Sequence, residues 1–175
     1  MELLEIKRLA PGAREDELQR IGRLVLAPGQ DIYVGDAGEM TARALGIDAR
    51  HPFSIVAGQE TVGVGTLHVG AATDAGWPDD DGAVLLRGVL IDSSHQGLGY
   101  GTMAARTAVV LAADLAHQLD LAATGVVLDV NELNLAGIKA YERAGYADRG
   151  QFLGGRSGPQ RTMFAPFRDR PVNFH

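Results

Sequence analysis

The chain has 175 residues, 46% of them hydrophobic, which suits one ordinary domain, residues 1–175, with a filled core. Its net charge of −6 argues against nucleic acid as a partner and mildly favours a cationic one such as an amine. The absence of cysteine excludes a disulfide framework, a thiolate metal site and a covalent acyl-cysteine route. No apolar run reaches the roughly 18–20 residues of a membrane span, and MELLEIKRLA lacks the pattern of a signal peptide, so a cytoplasmic protein without a membrane partner is expected.

In chain order, Leu3 to Leu9 reads as a first strand that Pro11-Gly12 ends. A helix is expected over Ala13 to Leu26, where Leu18, Ile21 and Val25 recur at helical spacing behind Glu15, Asp16 and Glu17; Pro28-Gly29 breaks it. Gly35 and Gly38 suggest a loop, followed by a short helix over Glu39 to Leu45. Phe53 to Ala57 and Thr61 to Val69 read as antiparallel strands around Gly58-Gln59-Glu60, and the next segment, GAATDAGWPDDDGA, as a polar, exposed loop. Val84 to Ile91 is apolar almost throughout, as a central strand buried on both faces would be. Arg87 interrupts that run, with its head expected to pass the sheet edge or to meet a carboxylate, and a substrate role as the alternative to that structural one. Then follow a helix over Gly99 to Gln118 with a stripe at Ala104, Thr107, Ala108, Leu111 and Leu115, a strand over Val126 to Val130 and a helix over Leu135 to Ala144. Strands over Tyr146 to Leu153 and Gln160 to Pro166, joined by the turn Gly154 to Pro159, complete an α/β layered domain with a mixed sheet.

Two segments carry the chemistry. In VLLRGVLIDSSHQGLGYGT, residues 84–102, an apolar strand runs through a glycine-rich turn directly into a helix. Such a turn exposes backbone N–H groups to an anion at the positive end of the helix. A P-loop requires Lys and Ser or Thr after its last glycine, whereas Thr102 and Met103 follow Gly101. The dinucleotide fingerprint requires G-x-G-x-x-G near the first strand, whereas the spacing here is G-x-G-x-G deep in the chain. The pattern that fits is Gln/Arg-x-x-Gly-x-Gly/Ala after a hydrophobic strand. The second segment, VVLDVNELNLAGIKAYERAGY, has the order strand, Asn134, Gly137, Tyr141, Gly145, Tyr146. Together the two segments resemble the GCN5-related N-acetyltransferase (GNAT) superfamily, with Gly137 for the usual Ala, Tyr146 for the usual Phe, and Ser93 where many members have Pro.

The resemblance implies a GNAT-like acyl-CoA N-acyltransferase fold, with a mixed central sheet splayed at its centre and helices on both faces. It implies acetyl-CoA as co-substrate, the pyrophosphate on Gln96, Gly97, Leu98, Gly99, Tyr100, Gly101 and Thr102. Pantetheine would pair with the backbone of Val89, Leu90 and Ile91 as an added strand, and Asn134 would bind pantetheine or cap its helix. Tyr141 is implied as the acid that protonates the departing thiolate after direct attack by a neutral amine in a ternary complex. The base is left open among Glu60, His68, Asp92 and Asp129, with His68 the first choice. His95 reads as a surface residue near phosphate; Tyr33, Trp77 and Phe152 either line the acceptor pocket or pack. His51, His117 and His175 lack metal-ligand spacing, so no metal is expected.

The expected function is therefore acetyl transfer from acetyl-CoA to a primary amine of a small molecule or peptide, by a chain able to form a homodimer. A non-catalytic CoA-binding or regulatory module of the same fold is the alternative, and an unrelated nucleotide-binding domain a third. Acceptor choice is expected to reside in Ile32 to Ile47, Ala71 to Ala83 and Gly154 to Pro159, which carry no readable motif.

Overall fold

The structure is a computed structural model that describes residues 1–28, 36–155 and 158–168. Tyr33, His175 and parts of two of the expected acceptor segments lie outside the described residues. The strands are β1 (Glu2–Glu5), β2 (Arg50–Ala57), β3 (Glu60–His68), β4 (Val84–Ile91), β5 (Gly125–Asn131), β6 (Ala147–Phe152) and β7 (Gln160–Pro166). The helices are α1 (Pro11–Gly22), α2 (Ala37–Leu45), α3 (Tyr100–Gln118) and α4 (Leu135–Arg143). The strands form a seven-stranded sheet in the order β1-β2-β3-β4-β5-β7-β6, in which β4 and β5 are parallel and the other neighbours antiparallel.

Both faces of the sheet are covered. The small residues Ala104, Ala105, Ala108 and Ala112 let α3 lie close against Phe53, Ile55, Val84, Leu86 and Val126, with Ile138 and Tyr141 of α4 against the same cluster. On the opposite face, Ile21 of α1 and Ala37 and Met40 of α2 pack with Ile6, Val64 and Leu90. Farther along that face, Leu85, Val127 and Phe164 are covered by the segment between β3 and β4.

Four sequence expectations change. The first strand stops at Glu5, and Ile6–Arg8 forms a 3-10 turn that buries Ile6. Pro11 opens α1, where its missing N–H costs nothing, and the helix ends at Gly22. Leu24 to Ala27 leave the helix because Val25 bridges to the end of β4: its N–H donates to Asp92 Oδ2 (2.8 Å) and its carbonyl accepts from Ser93 N–H (2.8 Å). The segment after β3 is more than an exposed loop. Ala71, Ala72, Ala75 and Ala83 are buried, and Trp77 stacks on Phe164 with ring centroids 4.4 Å apart. Its aspartates work locally: Asp79 accepts from Gly82 N–H (2.6 Å) and Asp80 from Thr73 N–H (3.2 Å). The apolar run of β4, finally, is buried only in its first half and at Leu90, for the reason given next.

Candidate active site

β4 and β5 share two rungs, Val84–Val126 and Leu85–Val127, and then part. β5 stays fully paired to β7 from Gly125 to Asn131, so β4 is the strand that departs. Its course changes at Gly88, whose φ of +63° is a left-handed conformation that favours glycine. There the register against β3 shifts, Thr66 opposing Arg87 but Val64 opposing Leu90, which is a bulge. Beyond it, Val89, Leu90 and Ile91 have no ladder partner on the β5 side. Buried sheet interiors do not leave a strand edge unpaired without reason; this edge can accept an extended ligand with amide groups.

The opening leads to the glycine turn. Gly97 and Gly99 have φ of +77° and +85°, and a Cβ at either would meet nothing within 4 Å. Glycine is required there by backbone conformation, with open space in front. Gly99 caps α3 without a side-chain bond, and the first bond of the helix is Met103 N–H to Gly99 C=O at 3.0 Å. The N–H groups of Tyr100, Gly101 and Thr102 therefore lie ahead of the intrahelical ladder, a donor array suited to an anion. Gln96, although exposed, donates from Nε2 to Ile91 C=O (3.1 Å), bracing the turn on the end of β4.

Asp92 holds the start of this connection. It accepts from Ser94 N–H (3.0 Å) and Val25 N–H (2.8 Å); although burial opposes its charge, these bonds and those from the Ser94 hydroxyl and His95 hold its carboxyl down at about 2. Such a carboxylate is a poor base, and its position is that of a clamp. His95 has Nδ1 3.4 Å from Asp92 and Nε2 3.5 Å from Glu60, and its ring is tilted toward that of Tyr100 with centroids 6.2 Å apart. Glu60 and Asp92 line a surface cleft together with Arg20, Arg23 and Thr61.

Across the opening stands α4. Asn134 caps it, its Oδ1 accepting from Gly137 N–H at 2.9 Å, while Asn131 accepts from Leu133 N–H at 2.9 Å. A Cβ on residue 137 would come within 2.5 Å of the Asn134 side chain, which accounts for glycine at that site with Asn134 in this rotamer. At the other end, Gly145 (φ +99°) stops the helix and Tyr146 N–H returns to Tyr141 C=O at 3.0 Å. The two tyrosine rings meet edge to face at 5.9 Å, and the Tyr146 hydroxyl donates to Ala105 C=O (3.0 Å). Burial, and secondarily the negative charge of Asp129, push the Tyr141 phenol above its ordinary value; Tyr146, also buried, is pushed far up. Both are protonated at neutral pH.

His68 ends β3 on the face of Arg87 and Asp74. Its Nδ1 is 3.2 Å from Arg87 Nη1. A guanidinium only donates, so Nδ1 accepts and Nε2 carries the proton. Burial, then Arg50 and Arg87, lower its pKa. Arg87 also meets the Asp74 carboxylate at 3.5 Å. Asp129, on β5, is exposed; desolvation by its surroundings raises its pKa, opposed first by its own backbone N–H and then by Arg87. Trp77 and Phe152 pack, Trp77 on Phe164 and Phe152 against Gly76 and Gly154. The sequence motifs did not single out Gly88 or the pairing of Arg87 with His68, for both depend on the register of neighbouring strands. Among the described residues no helix is long and apolar enough to cross a membrane, and no group of three or more His, Asp or Glu side chains is placed to hold a metal ion.

Comparison with known proteins agrees with this geometry. The sequence is 30% identical over 125 residues to an uncharacterized N-acetyltransferase, YbbJ, of Bacillus subtilis (strain 168), covering 71% of this chain and 76% of that protein. Among solved structures, AAC(6')-Ib in complex with "Parmomycin" and acetyl-CoA superimposes with a TM-score of 0.68 at 21% identity, over 95% of this chain and 94% of that one. A chimera of spermidine N-acetyltransferase SpeG from Vibrio cholerae and hSSAT gives 0.63 at 18% identity, over 94% of each chain. These structural likenesses speak to the fold. The profile of the acetyltransferase (GNAT) family matches residues 23–146, from the end of α1 through the glycine turn to Tyr146, and the chain belongs to that family.

Proposed function

We propose that the protein transfers an acetyl group from acetyl-CoA to a primary amine of a small molecule or peptide, by direct attack in a ternary complex. The observation that carries this reading is the parting of β4 from β5 after Leu85–Val127, which leaves a strand edge open between the glycine turn and Tyr141. Pantetheine lies along Val89, Leu90 and Ile91 as an added strand, and its pyrophosphate takes the N–H groups of the turn from Gln96 to Thr102. A backbone N–H past the Gly88 bulge donates to the thioester oxygen and stabilises the oxyanion as it forms. The family and the structural neighbours whose complexes contain acetyl-CoA or CoA support this choice of co-substrate.

The amine nitrogen forms the new bond to the carbonyl carbon, and the bond to sulfur breaks. Tyr141, kept neutral by burial, gives its proton to the departing thiolate. His68 takes the proton of the acceptor ammonium, directly or through one water. Its lowered pKa keeps it neutral at pH 7, and Nδ1 becomes the accepting atom once Arg87 turns away. Asn134 keeps α4 in register beside pantetheine. The neighbours bind amine-bearing small molecules, an aminoglycoside in AAC(6')-Ib with CoA and kanamycin among them, which supports an amine acceptor here. Action in the cytoplasm, as one domain and with homodimer formation, completes the proposal.

Calorimetry with acetyl-CoA, with ATP and NAD as controls, tests it. A micromolar Kd, about −8 kcal/mol, for acetyl-CoA alone, followed by CoA release with an amine, is the expected result. No binding would remove the proposal.

A further inference from the structure

The acceptor side of the opening has an uneven charge distribution. On the face opposite α3, the first outward positions past the last shared rung are Arg87 on β4 and Asp129 on β5, each two residues beyond the pair Leu85–Val127. No salt bridge joins them among the described residues, although each lies within electrostatic reach of the other. The diverging strands hold a cation and an anion apart over a gap.

The cation is incompletely paired. Arg87 is 41% exposed and makes both of its contacts, to His68 Nδ1 and to Asp74, through Nη1. Among the described residues, Nη2 and Nε have no hydrogen-bonding acceptor, which leaves the bidentate edge that suits a carboxylate. Asp74 is itself 61% exposed and 3.5 Å away, a loose surface pair of small energetic value. Arg50, opposite His68 in the β2–β3 ladder, adds a second guanidinium, and its buried Nε has no acceptor among the described residues. Buried donors are rarely left so. Arg149 of β6 lies on the same face, over the Phe164 ring at 5.5 Å. Three arginines thus lie on this face with Asp74 and Asp129, while Asp79 and Asp80 of the covering segment accept hydrogen bonds from within that segment. A polycation would meet repulsion from Arg50, Arg87 and Arg149, whereas an amine that also carries a carboxylate finds both charges complemented.

Resting on the acetyltransferase reading, we propose that the acceptor is zwitterionic, an amino acid or a short peptide-like compound whose carboxylate binds Arg87 and whose ammonium lies by Asp129 beside the thioester. Arg87 is then a specificity-determining residue. When its guanidinium turns to the substrate carboxylate it releases His68 Nδ1, so the same group that recognises the acceptor frees the base.

The test uses the full chain after its acetyl-CoA affinity has been measured. CoA release is followed with the twenty standard amino acids, with their carboxamides and with a carboxylate-free polyamine. At least tenfold higher kcat/KM for an acid than for its own amide is expected. Arg87→Gln is expected to abolish that preference through KM for the acid, while acetyl-CoA Kd stays within twofold; Arg87→Lys keeps part of the preference and guards against a variant that merely misfolds. Turnover of amides or the polyamine equal to or better than the acids, no turnover of any carboxylate-bearing amine, or an equal loss for acid and amide in Arg87→Gln would each overturn the proposal. Failure to bind acetyl-CoA at all would instead remove the acetyltransferase reading beneath it.

Discussion

Arg87 and Asp129 occupy equivalent places on two parallel strands, each two residues past the pair Leu85–Val127, yet the strands have already separated and no ion pair joins them. The separation begins before Gly88, whose left-handed backbone lies in the bulge against β3 that follows, beyond which β4 continues with an open edge. The charged side chains and the open strand edge thus belong to the same stretch of β4 and β5, and the expected consequences can be measured.

Tyr141→Phe should lower kcat at least tenfold with acetyl-CoA Kd nearly unchanged, because general acid catalysis contributes about 10²–10⁴-fold while the ring still fills its place against Tyr146. Steady-state kinetics beside calorimetry separates the two quantities. An unchanged kcat would take Tyr141 out of the proposed mechanism.

The pH profile should be broad. His68 has a pKa lowered from 6.5, first by burial, then by Arg50 and Arg87, so its neutral, proton-accepting form persists below pH 6.5 and activity falls only at more acid pH. Tyr141 has a pKa raised from 10.0, so the alkaline limb lies above that value. His68→Gln should remove the acid limb and lower the plateau. If kcat/KM retains the same acid limb in that variant, another group is the base.

Gly101 offers a cleaner probe of the turn than Gly99. Any side chain at Gly99 is strained by its φ of +85°, whereas Gly101 is helical and a Cβ there meets only Ile91 at 3.9 Å. Gly101→Leu should keep the thermal midpoint within a few degrees and weaken acetyl-CoA at least tenfold by obstructing the N–H groups of the first turn of α3. Undiminished affinity in calorimetry would mean that the pyrophosphate does not use this turn.

The Asp92 clamp should be visible in stability. Its folded-state pKa of about 2 lies below the ordinary 3.8, so its contribution is full above pH 3.8 and disappears as pH falls through about 2. Asp92→Asn should cost about 1–2 kcal/mol at pH 7, the worth of hydrogen bonds to a partly screened charge, and much less near pH 2. Denaturant melts at both pH values check it; an equal loss at the two would show that the carboxylate charge is not what holds Val25 and Ser94.

The sequence by itself determined the order of elements from β2 to β7, because alternating apolar residues and glycine or proline breaks are local signals, and it determined the family, because the glycine turn and the Asn134 to Tyr146 segment are contiguous. It left Asn134 open between pantetheine binding and a helix cap; the cap, which needs only the next three residues, is the role the structure shows. Tertiary structure decided the rest. Leu24 to Leu26 read as helix until Val25 is seen to bridge to Asp92, 67 residues away. The segment from Ala71 to Ala83 read as exposed until its alanines and Trp77 meet Leu85, Val127 and Phe164. The setting of Arg87, bonded to His68 and facing Asp129 across a gap, depends on strand register and on a bulge at Gly88, which are properties of paired chains and not of any one stretch of sequence.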